Sequence, residues 1–394
     1  MLLSIALISL TGMFAGWICS KIKLPSLLGM LLTGILLGPY ALNLIDNSIL
    51  NISADIRKIA LIIILTRAGL TLNIGDLKRI GRPAVMMCFV PATFELIGMI
   101  LLAPRLLGVS VPEAAIMGAV VAAVSPAVVV PRMVKLMEEG YGTTRGIPQL
   151  ILAGASVDDV YVIVLFTTFT GLVQGNHVSI MSFVNIPVSI ILGVVLGLLF
   201  GFALAKYFEK VHIRDTAKVI ILLNLSFLLV VSEEHLQTSI TFSSLIAIMF
   251  IGAGLQKYRQ AAARRLSAKF SKLWVCAEIM LFVLVGSTVN IDYIGHAGFA
   301  AVIVILSSLI FRMSGVFICL LGTGFTKKER LFTMMAYTPK ATVQAAIGGI
   351  PLSMGLACGD IVLTVAVLAI IITAPLGAFA MDLSYRKLLE QKVM

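Results

Sequence analysis

Asp158 and Asp159 stand side by side in the middle of residues 147–173, a stretch otherwise long and apolar enough to cross a lipid bilayer. A charge at the bilayer centre costs about 2.5–3.5 kcal/mol on insertion scales, so acids in such a place face a cavity and mark an ion or proton path. Neighbours in a helix point about 100° apart, which gives the two aspartates different surroundings and different roles. Asp159 shares a helix face with Ser156, three residues earlier, and the two present a carboxylate and a hydroxyl to a hard monovalent cation. Asp158 is then free to pair with Lys340, a lysine inside another apolar stretch. Burial opposes a carboxylate's charge and a nearby cation restores it, so a metal cation and a proton compete for the same oxygens.

The elements that must position these groups are membrane spans. The chain has 394 residues, 59% hydrophobic and 12% charged, with a mean hydropathy of +1.06, far outside the soluble range. Against the roughly 20 residues a helix needs to cross the hydrocarbon, thirteen stretches qualify: 2–19, 24–43, 58–75, 83–104, 113–136, 147–173, 183–205, 216–232, 238–255, 272–291, 297–322, 330–351 and 360–381. The net charge of +11 is one-sided. Of the thirty Lys and Arg, 24 fall in the loops after odd-numbered spans, counted with the few residues of the adjoining span ends, or in the C-terminal tail. Arg57, Lys58 and Arg105 lie on the opposite face, and Arg67, Arg312 and Lys340 lie inside spans. The positive-inside rule therefore places the N-terminus outside and the C-terminus in the cytoplasm.

Cys19, Cys88, Cys276, Cys319 and Cys358 lie in or beside spans without paired spacing, which gives neither a disulfide framework nor a zinc site. The first stretch lacks a basic leader and a cleavage site and reads as a retained span. His177, His212, His235 and His296 fall in or near loops, which leaves no buried histidine relay. No soluble catalytic domain, nucleotide loop or redox motif is visible, and no cofactor is expected.

Three anchors recur in order seven spans apart. Residues 69–74, Gly-Leu-Thr-Leu-Asn-Ile, return as 286–291, Gly-Ser-Thr-Val-Asn-Ile, at an offset of 217; the same offset carries Glu95 onto Arg312, and 213 carries Ser125-Pro126 onto Thr338-Pro339. An odd separation inverts the second copy, so spans 1–6 and 8–13 form an inverted-topology repeat joined by span 7. In such carriers the ion site lies near the midplane, where two discontinuous helices meet. Ser125-Pro-Ala-Val-Val-Val-Pro131 and Thr338-Pro-Lys-Ala-Thr342-Val-Gln344 are the expected breaks, because proline removes a backbone donor and clashes with the preceding turn. If the breaks cross, Asp158 neutralises the amino ends of the half-helices and Lys340 the carboxyl ends. Ser125 and Thr342 would line the site. Glu95 and Arg312 should pair near the pseudo-two-fold axis, as a structural pair or a gate, and Arg67 could meet Glu278 in the counterpart helix. Asn224 and Ser226 read as packing contacts between helices.

These residues resemble the monovalent cation/proton antiporter superfamily, above all its NHA branch of sodium/proton antiporters, and are similar to NhaA- and NapA-type members. The resemblance rests on Leu24-Pro-Ser-Leu-Leu-Gly-Met-Leu-Leu-Thr-Gly-Ile-Leu-Leu-Gly-Pro39, Ser125–Pro131, the paired aspartates and Pro339-Lys-Ala-Thr-Val-Gln-Ala-Ala-Ile-Gly348. It implies an all-α NhaA-like fold and a homodimer in which a core, residues 83–173 and 297–381, moves like an elevator against scaffold helices at 1–75 and 216–291, with a linker helix at 183–205. It also implies that Asp159 carries the cation and the proton, with Asp158 paired to Lys340 when no cation is bound, and that Glu95 with Arg312 is the charged pair of the NHA branch. The expected activity is sodium (or lithium)/proton antiport in a plasma membrane, the bacterial inner membrane by this resemblance, and not an enzymatic one.

Other classes use some of the same parts. A potassium/proton antiporter or a cation channel also needs buried carboxylates, although inverted halves with broken helices favour alternating access. An intramembrane aspartyl protease needs its two aspartates on different helices with Gly-x-Gly-Asp and Pro-Ala-Leu motifs, and Ala357-Cys-Gly-Asp360 lacks the first glycine.

Overall fold

The computed structural model describes residues 1–72, 81–173, 180–211, 213–235 and 242–391, and among these every regular element is a helix. Asn73 and Ile74 of the first repeat motif, His177, His212 and the side chains of Ser156, Ile291 and His296 lie outside the described residues. Among the described residues nine helical stretches are long and apolar enough to cross a membrane, and Ser26–Leu37 and Ser244–Tyr258 are shorter apolar helices. Of the four expected spans outside this number, 24–43 and 238–255 correspond to those shorter helices and 58–75 to the single helix Ser53–Thr71. The fourth, 330–351, is three short helices and not one.

The chain divides into two compact units, the first of Met1–Arg57, Asp76–Gln174 and Ile279–Met394, the second of Lys58–Gly75 and Gly175–Glu278. The first contains α1 (Leu2–Lys21), α2 (Ser26–Leu37), α3 (Asn47–Asn51) and the start of α4 (Ser53–Thr71). It continues with α5 (Arg82–Met87), α6 (Val90–Leu107), α7 (Val111–Val121), α8 (Pro126–Glu138) and α9 (Ile147–Val173). The second holds the rest of α4, α10 (Ile180–Lys210), α11 (Asp215–His235), α12 (Ser244–Tyr258) and most of α13 (Gln260–Ser287). The end of α13 returns to the first unit, followed by α14 (Ile291–Cys319), α15 (Lys327–Ala336), α16 (Thr342–Ile347), α17 (Ile350–Ser353) and α18 (Gly359–Leu388).

Lipid tails are as apolar as leucine, so helices in a bilayer associate through close packing, and small residues let backbones approach. One such approach occurs twice. In the second unit Gly69 of α4 packs on the Met249 carbonyl, and Gly252 of α12 on the backbone of Gly69 and Leu70; a Cβ at either glycine would overlap backbone. In the first unit Gly286 of α13 packs on the Leu31 carbonyl, and Gly34 of α2 on the Val283 carbonyl and Gly286. Gly69 and Gly286, one in each crossing, are related by the offset of 217 seen in the sequence, while Gly34 and Gly252 are 218 apart.

Within the first unit α6 runs along α14, α9 packs on α7 and α8, and α18 packs on α14 and α15. Two helices in this bundle are interrupted at depth. Between α7 and α8, Ala122, Ala123, Val124 and Ser125 are all buried, and Ser125 takes an extended backbone, φ −87° and ψ 113°, as a residue before proline should. Pro126 then opens α8 at a position whose N–H has no partner in a helix anyway. Pro131 sits inside α8 without ending it, so one of the two expected prolines makes the break. The second interruption runs from Tyr337 to Ala341 around Pro339, and Gly348-Gly349 separates α16 from α17.

Gly286→Val and Gly252→Val should each force apart a helix pair, with an overpacking cost of about 1–3 kcal/mol. Both variants are expected to show a lower thermal midpoint in detergent than Leu10→Val, a substitution on the exposed side of α1; midpoints equal to that control would contradict these contacts.

Candidate functional site

The two breaks meet. The Ser125 N–H donates to the Pro339 carbonyl at 2.8 Å, the Ser125 and Thr342 hydroxyls lie 3.4 Å apart, and the Thr342 N–H donates to Ser125 Oγ at 3.4 Å. Ser125 and Thr342 are themselves 217 residues apart, as are Glu95 and Arg312.

Unwound backbone at this depth is tolerated only where protein or a cavity satisfies it, and side chains supply most of the partners. Gln344 Nε2 donates to the Val121 and Ala123 carbonyls at 3.2 and 2.9 Å, and Arg312 Nη1 donates to the carbonyl of Ala122. The Val124 N–H donates to Asp158 Oδ2 at 2.8 Å. In the second break the Tyr337 carbonyl accepts from Arg312 Nε at 2.5 Å, and the Lys340 N–H donates to Thr373 Oγ1 at 2.9 Å.

Glu95 on α6, Asp158 on α9, Arg312 on α14 and Lys340 in the second break form one buried network. Arg312 Nη1 lies 2.8 Å from Glu95 Oε2, Arg312 Nη2 2.9 Å from Asp158 Oδ2, and Lys340 Nζ 2.5 Å from Glu95 Oε2. All four side chains are fully buried. The Tyr337 ring lies 5.1 Å from the guanidinium, and its hydroxyl donates to the Met87 carbonyl at 3.0 Å. Glu95 and Arg312 do pair, as their place in the repeat suggested.

Asp158 does not pair with Lys340 in this structure; its carboxylate is taken by Arg312, and Lys340 turns to Glu95. The planar guanidinium explains the exchange, because its fork of donors spans two carboxylates and two carbonyls at once whereas an ammonium is a single point charge. Asp158 accepts from the Val124 N–H, two residues before α8, and the Lys340 ammonium is held by Glu95.

Asp159 makes no hydrogen bond or ion pair among the described residues, and it is 8% exposed. Its Oδ1 is a buried acceptor without a partner, as are Oδ1 of Asp158, Oε1 of Glu95 and Oε1 of Gln344. The side chain of Ser156, expected beside it, lies outside the described residues. Arg67 and Glu278, both in the second unit, form no ion pair within 4.0 Å among the described residues. Sequence reasoning missed Gln344, Tyr337 and Thr373; the available signal was a glutamine in an apolar stretch beside a proline break.

Arg312→Ala would leave Asp158 without a cation and the Ala122 and Tyr337 carbonyls without their donor, while Glu95 keeps Lys340, and breaking a buried pair from one side costs about 3–5 kcal/mol. Lys340→Ala leaves Glu95 with Arg312 and should cost less. Thermal unfolding in detergent is therefore expected to show the larger loss for Arg312→Ala; equal losses would contradict the hub role of Arg312.

The family described as "Sodium/hydrogen exchanger, transmembrane" matches residues 5–381. Human sodium/hydrogen exchanger 9B2 is 34% identical over 387 residues, covering 93% of this chain and 70% of that protein, and human sodium/hydrogen exchanger 9B1 is 30% identical over 381 residues, covering 93% and 73%. The structure of the sodium proton antiporter MjNhaP1 from Methanocaldococcus jannaschii superposes with a TM-score of 0.84 at 22% identity, over 98% of this chain and 97% of that one, which shows a shared fold. A bundle of apolar helices around a buried network of carboxylates and cations, matched over nearly its whole length by these relatives, is an integral membrane transporter and not an enzyme: the chain belongs to the sodium/hydrogen exchanger family.

Proposed function

We propose that the protein exchanges sodium or lithium for protons by alternating access, with the cation and the proton competing for Asp159. The observation that carries this reading is a charge count. Three buried carboxylates, Glu95, Asp158 and Asp159, face two buried cations, Arg312 and Lys340. An isolated charge in a medium of low dielectric is far too costly to leave unpaired, so the cluster takes up one further positive charge. Either a proton or an alkali cation supplies it, at the carboxylate that no protein group neutralises. Each displaces the other, and a site that must always hold one of them cannot return empty. That is the requirement for coupled exchange.

The repeat supports the transport cycle. Glu95 with Arg312 and Ser125 with Thr342 are contacts between residues 217 apart, as expected of positions beside a pseudo-two-fold axis between inverted halves of thirteen spans. The glycine crossings at Gly69 and Gly286 obey the same relation. In this reading residues 83–173 and 297–381 carry the site and move against 1–75 and 216–291, with 183–205 as linker, in a homodimer whose N-terminus is outside and C-terminus cytoplasmic. Asp158 stays with Arg312 when the site holds no metal cation. The membrane is a plasma membrane, by the basic loops and the resemblance of the motifs the bacterial inner membrane.

Proteoliposomes loaded with a pH-sensitive dye test this directly. Sodium or lithium added outside is expected to drive proton movement in the wild type and none in Asp159→Asn, whose folding should be unchanged because Asp159 makes no hydrogen bond or ion pair among the described residues that amidation would remove. Sodium-driven proton movement retained in that variant would overturn the assignment. Competition also fixes a sign: the apparent KM for sodium should rise as pH falls, and a KM independent of pH would argue against a shared site.

A further inference from the structure

Gln344 is fully buried on α16 and bound at one end only. Both hydrogens of its carboxamide nitrogen are used, by the Val121 and Ala123 carbonyls at 3.2 and 2.9 Å. A flipped amide would set its oxygen against two carbonyl oxygens, so the hydrogen-bond network admits one orientation. That orientation leaves Oε1 as a buried acceptor with no partner. Buried acceptors are almost always satisfied, and an exception calls for an explanation.

Three other orphaned acceptors belong to the same cluster, Oδ1 of Asp158, Oδ1 of Asp159 and Oε1 of Glu95. A chain of contacts ties Gln344 to them: it holds Ala123, and the next residue, Val124, donates to Asp158. These four oxygens are acceptors that neither Arg312 nor Lys340 reaches. Alkali cations are bound by oxygen, and a neutral carbonyl replaces a water of hydration without adding charge. A neutral oxygen fixed in place selects among cations by size while carboxylates mainly sense charge.

We propose that Gln344 is a specificity-determining ligand of the transported cation, its Oε1 replacing one water of hydration and its amide nitrogen locking that oxygen to the first helix break. This rests on cation exchange at Asp159 and names a residue that exchange alone does not require.

The test is transport by Gln344→Met, which keeps length and loses the oxygen, with lithium, sodium and potassium chloride as probes. Loss of one ligand oxygen is expected to raise the sodium KM about tenfold and to change the ratio of the sodium to the lithium KM. A residue that only holds the break would lower kcat and leave every KM and their ratio unchanged, which would overturn the proposal. A second measurement does not depend on how the variant folds. Sodium-minus-sodium-free infrared difference spectra of protein carrying side-chain carbonyl-labelled glutamine, in a Gln149→Met background because Gln149 Oε1 is also buried without a partner, should show a label-sensitive band; its absence would overturn the proposal. If Asp159→Asn abolishes exchange while Gln344→Met keeps its KM values, this inference falls and exchange at Asp159 stands. If the wild type moves no protons with any of the three cations, both fall together.

Discussion

One guanidinium holds the centre of this protein together. Arg312 reaches Glu95, Asp158 and the carbonyls of Ala122 and Tyr337, and thereby ties α6, α9, α14 and both helix breaks to a single planar group. A buried ion pair is weak support for stability by itself, since desolvation opposes the attraction. Here the same donors also satisfy carbonyls that two proline breaks set free, so the network answers two needs at once. Removing the arginine leaves both unanswered, and no other cation in the cluster has the reach to replace it.

The breaks explain why so much charge is buried at all. An unbroken helix satisfies its own backbone and offers an ion nothing but side chains. Pro126 and Pro339 open the backbone where two helices cross, and the freed groups recruit Arg312, Gln344, Asp158 and Thr373. The recruited groups satisfy the breaks but do not balance in charge. Asp159, next to an aspartate already engaged, has no partner among the described residues. A structural cluster with no transport role would have no reason to keep a third carboxylate.

Much of this was legible in the sequence because membrane depth makes polar residues rare and therefore informative. Asp158, Asp159, Glu95, Arg312 and Lys340 were visible as charges in apolar runs, and the prolines marked both breaks. Glu95 with Arg312 followed from the repeat alone. The partner of Asp158 did not, because the choice between Arg312 and Lys340 depends on the shape of a guanidinium fork and on carbonyls whose positions the sequence does not contain. Gln344 was hidden for a similar reason: a glutamine in an apolar helix announces a hydrogen bond but not which break it serves. The contact between Ser125 and Thr342 was hidden as well, because the sequence does not say which residues of two breaks touch.

The central claim is that one site holds either a proton or a cation and never both. Sodium binding to the purified protein, measured calorimetrically in two buffers of different protonation enthalpy, counts the protons released as the cation binds. A shared carboxylate requires release that grows towards one proton per sodium as pH falls and vanishes as pH rises, because the site is then already deprotonated. Binding heats that do not depend on the buffer between about pH 5 and 8 would show that sodium and the proton occupy different groups, and the competition at Asp159 would be wrong.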